Sequence, residues 1–305
     1  MTIRPLDLLD LPTIARYRND VLTLDSTRAL TRGHPLGAMG LLAYVNPARH
    51  LYAAVKNNDE VTLLGGIIHT RGDTFAKLLY LAPSFNLNDP NLPELIEHLS
   101  AQAGEWQAFH VIAEVDETSD VFMALRRSGF AVYAWQRVWD ASAIEKTESG
   151  SNKEWMRVQS LNLPAVQSLH YQIVPQLLQP VDPAPKRPNG FIHSDGRSFA
   201  NVNYGVYGVM LTPLILPDES DVSGKIVSLI ESLPDRRRRP VYLTVRSYQA
   251  WLEPVLEDLG AKALPRQAVM VKHLARFVKD AKPARVVPSS VRVQPTQMSR
   301  MDSDE

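Results

Sequence analysis

Residues 121–130 read VFMALRRSGF and residues 252–261 read LEPVLEDLGA, and both stretches predict the same local structure. Each is an amphipathic helical run that stops at a glycine, Gly129 in the first stretch and Gly260 in the second. Glycine is typical of the position after a helix because the backbone there adopts a positive φ. The two glycines lie 131 residues apart, so the sequence predicts one structural unit that occurs twice.

A second pair of markers supports the duplication. Leu11-Pro12 and Leu163-Pro164 each open an amphipathic helix pattern, and they lie 152 residues apart. The first copy therefore carries about 21 extra residues. We place them at 26–49, a stretch rich in glycine and proline, and predict a loop with one short helix around Met39–Ala43. We also predict that Asp10 is the N-cap of the first helix.

Both copies predict the same order of elements: strand, helix, three strands, helix, strand, helix, strand. In the first copy we predict strands at 2–6, 51–55, 62–69, 75–81, 109–115 and 130–139. In the second copy we predict strands at 155–159, 190–194, 197–203, 206–215, 241–246 and 263–274, with helices at 163–178, 221–233 and 248–259. The predicted organisation is a first domain at 1–140, a linker at 141–154, a second domain at 155–279 and a disordered tail at 280–305.

Composition excludes several classes of function. The 305 residues contain 33 basic and 33 acidic side chains, so no net charge favours nucleic acid or an anionic membrane. The chain has no cysteine, which excludes disulfides, thiolate metal sites and a cysteine nucleophile. The spacing of the eight histidines predicts no metal site. Without a signal-peptide pattern or an apolar run of about 20 residues, we expect a cytoplasmic protein.

The order of elements, with a glycine before the last strand, resembles the GCN5-related N-acetyltransferase (GNAT) superfamily. The residues that carry this resemblance are Ile3–Leu6 leading into Asp10–Pro12, Val121–Phe130 leading into Tyr133, Leu163-Pro164, and Val241–Val245 leading to Leu259-Gly260. The resemblance covers about residues 2–140 and 155–275. It implies an α/β (α+β) fold of two tandem GNAT-like domains, each with a mixed, mostly antiparallel sheet flanked by helices.

The resemblance also implies an activity, the transfer of an acyl group from acetyl-CoA to an amine. In the family, the fourth and fifth strands splay apart and the pantetheine arm lies in the gap. The pyrophosphate then binds backbone N–H groups at the start of the following helix. In the first copy the resemblance assigns cofactor binding to the backbone of Leu81 and Ala82 and to the helix start near Asn91. The amine acceptor would be a small molecule or a protein.

The sequence departs from the family at two functional positions. The glycine-rich phosphate motif is missing after the fourth strand in both copies, at Ala82–Pro90 and at Leu216–Gly224. The second of these stretches instead carries Asp218, Glu219 and Asp221, which would repel a pyrophosphate. The tyrosine that in the family protonates the leaving thiolate corresponds to a leucine in both copies, Leu125 and Leu256.

Three side chains of the first copy are candidates for catalysis. Glu114 ends the predicted fifth strand, where the resemblance places a general base. His69 and Tyr80 lie on the third and fourth strands and could line the acceptor cleft. Two of them also have a structural interpretation, Glu114 as a solvated carboxylate at a strand end and His69 as a hydrogen-bonded strand residue.

Two other functions are consistent with the sequence. The first is a catalytically inactive tandem protein that binds a ligand or a partner. The second is binding of an anionic partner such as RNA through a basic face at Arg236–Arg239, followed by a Lys/Arg-rich stretch at 262–292. Nucleic acid is the less favoured partner, because Phe277 is the one aromatic residue near that stretch that could stack on a base.

Overall fold

The computed structural model describes residues 3–37, 49–57, 62–144, 154–186, 188–234 and 239–274. The strands of the first copy are β1 (Ile3–Pro5), β2 (Leu22–Thr23), β3 (Arg49–Asn57), β4 (Thr62–Thr70), β5 (Phe75–Ala82), β6 (His110–Asp116) and β7 (Ala131–Asp140). Those of the second copy are β8 (Trp155–Arg157), β9 (Gly190–His193), β10 (Ser198–Tyr204), β11 (Val209–Ile215), β12 (Val241–Arg246) and β13 (Lys262–His273). The helices are α1 (Leu11–Tyr17), α2 (Ser26–Arg32), α3 (Leu92–Glu105), α4 (Val121–Arg127), α5 (Leu163–Ile173), α6 (Val222–Ser232) and α7 (Leu252–Asp258).

The strands of the two copies join in one continuous sheet. Its order is β1-β3-β4-β5-β6-β13-β7-β12-β11-β10-β9-β8, and β2 pairs with β5 beside this path. Most neighbours are antiparallel, but β5 and β6 are parallel, and so are β11 and β12. The mixed, mostly antiparallel sheet and the flanking helices confirm the predicted fold class.

The closing strands of the two copies are exchanged. β13, the last strand of the second copy, lies between β6 and β7 of the first copy and is antiparallel to both. β7, the last strand of the first copy, pairs in turn with β12 of the second copy. Each copy therefore completes the sheet of the other.

One face of the sheet is covered by α3, α4, α6 and α7. In the first copy, Leu95, Ile96 and Leu99 of α3 are fully buried against the sheet, together with Leu125 of α4. Burial of each such side chain contributes about 1.5–3 kcal/mol. In the second copy, α6 and α7 pack in the same way against alternate residues of β12. The remaining residues of these strands point to the opposite face, which carries α1, α2 and α5.

Most of the predicted elements are confirmed to within a few residues. The predicted helix at 163–178 is too long, because it ends at Ile173, two residues before Pro175. The segment predicted as a loop begins with helix α2, where Asp25 is the N-cap and accepts a hydrogen bond from the Arg28 amide at 3.2 Å. The helix predicted at Met39–Ala43 lies outside the described residues.

The Asp10 carboxylate does not cap α1 as predicted, although Asp10 precedes the helix. It accepts two hydrogen bonds from the Arg4 guanidinium, at 2.7 and 2.6 Å, and a third from the Asp7 amide. Asp10 is buried, so a charged partner for its carboxylate takes precedence over the cap.

The domain boundaries stay predictions. Residues 145–153 of the predicted linker and the whole predicted tail at 280–305 lie outside the described residues. Within the part of the chain that is described, none of the helices is both long and apolar enough to cross a membrane.

Candidate functional site

A cavity of about 390 Å³ lies where the two copies meet, on the face of the sheet opposite α3 and α6. Strands β5, β6, β11 and β12 form its floor, and its walls come from α2 and from residues 174–185. Both copies therefore contribute to it. Its charged lining residues are Asp25, Arg28, Arg32, Arg49, Asp73, Lys77, Glu114, Asp182 and Arg246.

Lys77 and Glu114 form the centre of the floor. They lie on neighbouring strands in positions that alternate with core residues, so both side chains point into the cavity. Lys77 Nζ lies 3.4 Å from Asp25 Oδ1, and Glu114 Oε2 accepts a hydrogen bond from the Ser26 amide at 2.9 Å. The start of α2 is thereby fixed to the floor by two carboxylates.

Neighbouring charges keep the Glu114 and Lys77 side chains ionised. Burial alone would raise the pKa of Glu114, but the positive charges of Lys77 and Arg246 and the Ser26 amide hold it below its ordinary value. Burial alone would lower the pKa of Lys77, but Asp25 and Glu114 raise it. At neutral pH the floor therefore carries a lysine cation between two carboxylates.

Arg246, at the end of β12, is the charged residue that the second copy contributes to the floor of the cavity. Its guanidinium lies over the Tyr133 ring, 5.9 Å from the ring centroid. Its Nε and Nη1 atoms are buried and have no hydrogen-bond partner among the described residues. Asp182 is close enough to raise the pKa of Arg246 against the effect of burial, but this carboxylate accepts its hydrogen bond from Tyr248, at 3.2 Å. Arg246 thus lines the cavity and holds two buried N–H donors without a partner among the described residues.

Three arginines stand at the edge of the cavity nearest α2. Arg28 and Arg32 lie one helical turn apart on α2, and Arg49 begins β3. Burial lowers the pKa of Arg49, and the neighbouring positive charge of Arg32 lowers it further. Neither Arg32 nor Arg49 forms an ion pair within 4 Å in the described part of the chain. This edge is therefore strongly positive.

The gap between β5 and β6 is filled by the chain itself. The two strands pair only at Phe75–Lys77 and then separate. Residues 22–24 run between them: β2 pairs with Leu81 and Tyr80, the Leu24 amide donates to the Leu79 carbonyl at 2.8 Å, and the Leu24 carbonyl accepts from the Glu114 amide at 2.9 Å. The edge of β5 that faces the gap is fully engaged by the protein.

The gap between β11 and β12 is closed by one side chain. Here the strands pair only at Val209–Leu211 and then separate. The Gln249 amide is buried in the gap, where its Oε1 accepts from the Ile215 amide at 3.0 Å and its Nε2 donates to the Pro213 carbonyl at 2.9 Å. Gln249 thus engages the free edge of β11.

Solved structures of similar fold cover most of the chain. A tandem GNAT protein from the clavulanic acid biosynthesis pathway aligns with 91% of this chain and 99% of its own, with a TM-score of 0.50 and 13% identity. A GCN5-related N-acetyltransferase from Sphaerobacter thermophilus aligns over 91% and 96%, with a TM-score of 0.54 and 13% identity. The chain has the tandem GNAT fold.

A putative acetyltransferase from Pyrococcus horikoshii gives a third similar structure, with a TM-score of 0.54 and 8% identity over 90% of this chain and 89% of its own. By sequence, no family model and no curated protein matches the chain. The tandem GNAT fold is therefore established here by structure alone.

The residues that the fold would offer to acetyl-CoA do not fit this cofactor. Leu81 and Ala82 are buried, and Leu81 already pairs with Leu22 at the edge facing the gap. The Asn91 amide donates to Asp89 Oδ1 at 2.7 Å, so it is engaged as well. In the first GNAT repeat, a pantetheine arm would therefore have to displace residues 22–24.

The second GNAT repeat fits acetyl-CoA no better. Besides Gln249 in the gap, Asp221 caps α6 by accepting from the Gly224 amide at 2.9 Å. Glu219 lies close by and pairs with Lys225 at 2.6 Å. Carboxylates thus occupy the helix start where a pyrophosphate would bind.

The three predicted catalytic residues are not brought together. Glu114 lines the central cavity. Tyr80 is buried in the core beneath α1, where its ring covers Gly66 so closely that a Cβ there would lie 2.3 Å from it. His69 lies on the other face, beside α3, where its ring stacks on Trp106 and its Nε2 is 3.0 Å from the Asp73 carbonyl oxygen. His69 thus has the hydrogen bond of its structural interpretation and Tyr80 is a core residue, while the catalytic roles of the three residues stay predictions.

Sequence reasoning missed Lys77, Asp25 and Arg246. A signal was present, because Lys77 interrupts the apolar strand FAKLLYLA, and Tyr242, Thr244 and Arg246 alternate with buried valine and leucine in β12. Charged side chains inside apolar strands indicate a polar site on one face of a sheet. In the described ranges, no group of three or more histidine, aspartate or glutamate side chains could hold a metal ion.

Proposed function

We propose that this tandem GNAT chain binds a small anionic molecule in its central cavity and does not transfer acyl groups from acetyl-CoA. The observation that carries the proposal is Arg246, which lines the cavity and whose buried Nε and Nη1 atoms have no hydrogen-bond partner among the described residues. Such donors are costly to leave unsatisfied, and a carboxylate or phosphate is the group that best satisfies them.

The positive edge of the cavity supports an anionic ligand. Arg28, Arg32 and Arg49 line the same cavity, so an approaching anion meets positive charge at the edge and again at the floor. The mixed lining, with apolar side chains such as Ile68, Ile112 and Leu214 beside a few charged groups, is typical of small-molecule sites.

The filled gaps argue against the acetyltransferase activity that the family resemblance implies. Binding of a pantetheine arm along β5 would break the backbone hydrogen bonds of Leu24, and binding along β11 would displace Gln249. The absent phosphate motif and the acidic start of α6 also argue against binding of acetyl-CoA. The basic-face hypothesis gains no support, because Arg236–Arg238 lie outside the described residues.

Thermal denaturation in the presence of candidate ligands tests the proposal. We expect at least one small organic acid or phosphate ester to raise the Tm, while acetyl-CoA leaves it unchanged. Arg246→Gln should abolish the increase. Arg126→Gln, an exposed arginine on α4 outside the cavity, is the matched control and should retain it. An increase in Tm with acetyl-CoA together with acetylation of an amine would instead establish the acyltransferase.

A further inference from the structure

Two separate positive groups line the central cavity, and the acidic side chains between them are already engaged. The inner group is Arg246, on the floor. The outer group is Arg32 and Arg49, at the edge nearest α2. Arg246 has unpaired donors, and the outer pair lacks an ion-pair partner in the portion of the chain that is described.

The inner group can take one anion. The Nε–H and Nη1–H groups of Arg246 point from different edges of the guanidinium, and each is an unpaired donor that can form a charge-assisted hydrogen bond with an anionic group. Tyr133 holds the guanidinium in place from one face, at 5.9 Å from the ring centroid. Asp182 does not compete for these two donors, since its carboxylate binds the Tyr248 hydroxyl.

The outer group needs a second anion. Arg32 and Arg49 repel each other, and this repulsion adds to burial in lowering the pKa of Arg49. An anion bound between them would remove the repulsion and gain two charge-assisted contacts.

The acids between the two groups offset this charge only in part, since Asp25 raises the pKa of Arg49 but forms no ion pair with it within 4 Å. Asp25 accepts from the Arg28 amide and pairs with Lys77. Glu114 accepts from the Ser26 amide and is balanced by Lys77 and Arg246. Apolar side chains, among them Ile68, Phe75 and Ile112, also line the cavity, beside neutral polar ones such as Thr31, Asn201 and Thr244.

We infer that the ligand is a dianion with an apolar spacer, one anionic group bound by Arg246 and the other by Arg32 and Arg49. This inference rests on the proposed function and adds the ligand class to it. A dicarboxylate has the required chemistry, and so does a carboxylate that carries a phosphate at the other end.

Isothermal titration calorimetry with matched pairs of probes tests the inference. The probes are the linear dicarboxylates from malonate to suberate and the monomethyl ester of each, which keeps the length but removes one charge. We expect one length to bind at least about tenfold more tightly than its own ester, because each charge-assisted contact contributes that much to affinity. ω-Phosphonocarboxylates of the same length then decide between a second carboxylate and a phosphate-like group.

Single-residue variants test which arginine binds each anionic end of the probe. Arg246→Gln and Arg49→Gln should each lower the affinity for the dicarboxylate to that of the ester, while Arg126→Gln leaves it unchanged. If Arg246→Gln fails to fold, as judged by circular dichroism, Arg246→Lys takes its place: it keeps the charge but lacks the guanidinium donors, so it should bind the dicarboxylate more weakly than the unmodified chain does.

Two results would overturn the inference in distinguishable ways. Esters that bind as tightly as the dicarboxylates, with Arg246→Gln abolishing both, would show a single anionic group and leave the proposed function intact. No binding by any dicarboxylate, ester or phosphonocarboxylate would overturn the inference and the proposed function together.

Discussion

Gln136 and Gln267 bind each other across the centre of the sheet, with Gln136 Nε2 donating to Gln267 Oε1 at 2.9 Å. Each lies seven residues after the glycine that ends the last helix of its own copy, Gly129 or Gly260. They are direct partners in the pairing of β7 with β13. Equivalent residues of the two copies therefore meet where the exchanged strands lie side by side, which places the pseudo-two-fold axis of the duplication here.

This glutamine pair predicts a measurable coupling. Gln136→Leu and Gln267→Leu should each lower the free energy of unfolding by about 1–3 kcal/mol, because each leaves a polar partner unsatisfied. The Ser26 hydroxyl, which donates to Gln267 at 2.8 Å, adds to the cost at the second position. The double variant should cost about 1 kcal/mol less than the sum of the single variants, measured by urea denaturation. Additive costs would contradict the coupling.

The exchanged strands predict that neither copy folds alone. A fragment of residues 1–141 lacks β13, so the edge of β6 that pairs from His110 to Asp116 is left open. We expect fragments 1–141 and 154–274 each to lack a cooperative unfolding transition, and an equimolar mixture to regain it, as followed by circular dichroism. The control is the full chain cleaved once within 145–153, which should stay folded. A cooperative monomeric transition in either separate fragment would contradict the prediction.

Removal of the Gln249 side chain, which closes the gap between β11 and β12, should lower the stability of the protein. Gln249→Ala leaves the Ile215 amide and the Pro213 carbonyl without partners in a buried site. The free energy of unfolding should fall by about 2–3 kcal/mol. Gln172→Ala, on the exposed side of α5, is the control and should change it by less than about 0.5 kcal/mol. Equal effects of the two variants would show that Gln249 does not hold the gap closed.

The low pKa of the Asp195 carboxylate predicts how the free energy of unfolding depends on pH. Burial would raise its pKa, but bonds from Lys225, the Arg197 amide and His193 lower it to about 2. In the unfolded chain the pKa is about 3.9. The contribution of Asp195 to stability is therefore complete above about pH 4 and is lost as the pH falls towards about 2.

Urea denaturation at pH 4.5 and at pH 2 checks this prediction. Between these two values the unmodified chain should lose about 1 kcal/mol more than Asp195→Asn, a figure reduced because the carboxylate is partly exposed. Asp258→Asn, at the exposed end of α7, should lose as much as the unmodified chain. If Asp195→Asn loses as much free energy of unfolding as the unmodified chain, the Lys225–Asp195 contact does not make stability depend on pH.

The duplication and the order of elements could be predicted from the sequence because both depend on local patterns. The glycines at 129 and 260 and the alternation in strands such as Val241–Arg246 are visible without any knowledge of distant contacts. Strand exchange was not predicted, since nothing in the sequence of β13 says which neighbour it will pair with. Leu22–Leu24 was missed because a run of three residues is too short to signal a strand.

The candidate site was predicted only in part for the same reason. Glu114 was singled out from its position at a strand end, and it does line the cavity. Its neighbours Lys77 and Arg246 come from different copies, and only the joined sheet brings them together. A motif search within one copy cannot find a site that two copies build jointly.

The exchanged strands also have a consequence for synthesis on the ribosome. The partner of Gln136 lies 131 residues further along the chain. At a translation rate of about 5–20 residues per second, β6 and β7 wait roughly 7–26 s with open edges before β13 emerges. During that interval the nascent first copy can recruit the wrong strand, including one from a neighbouring nascent chain. We therefore expect the yield of native protein to depend on elongation rate and on chaperones that bind unpaired strands.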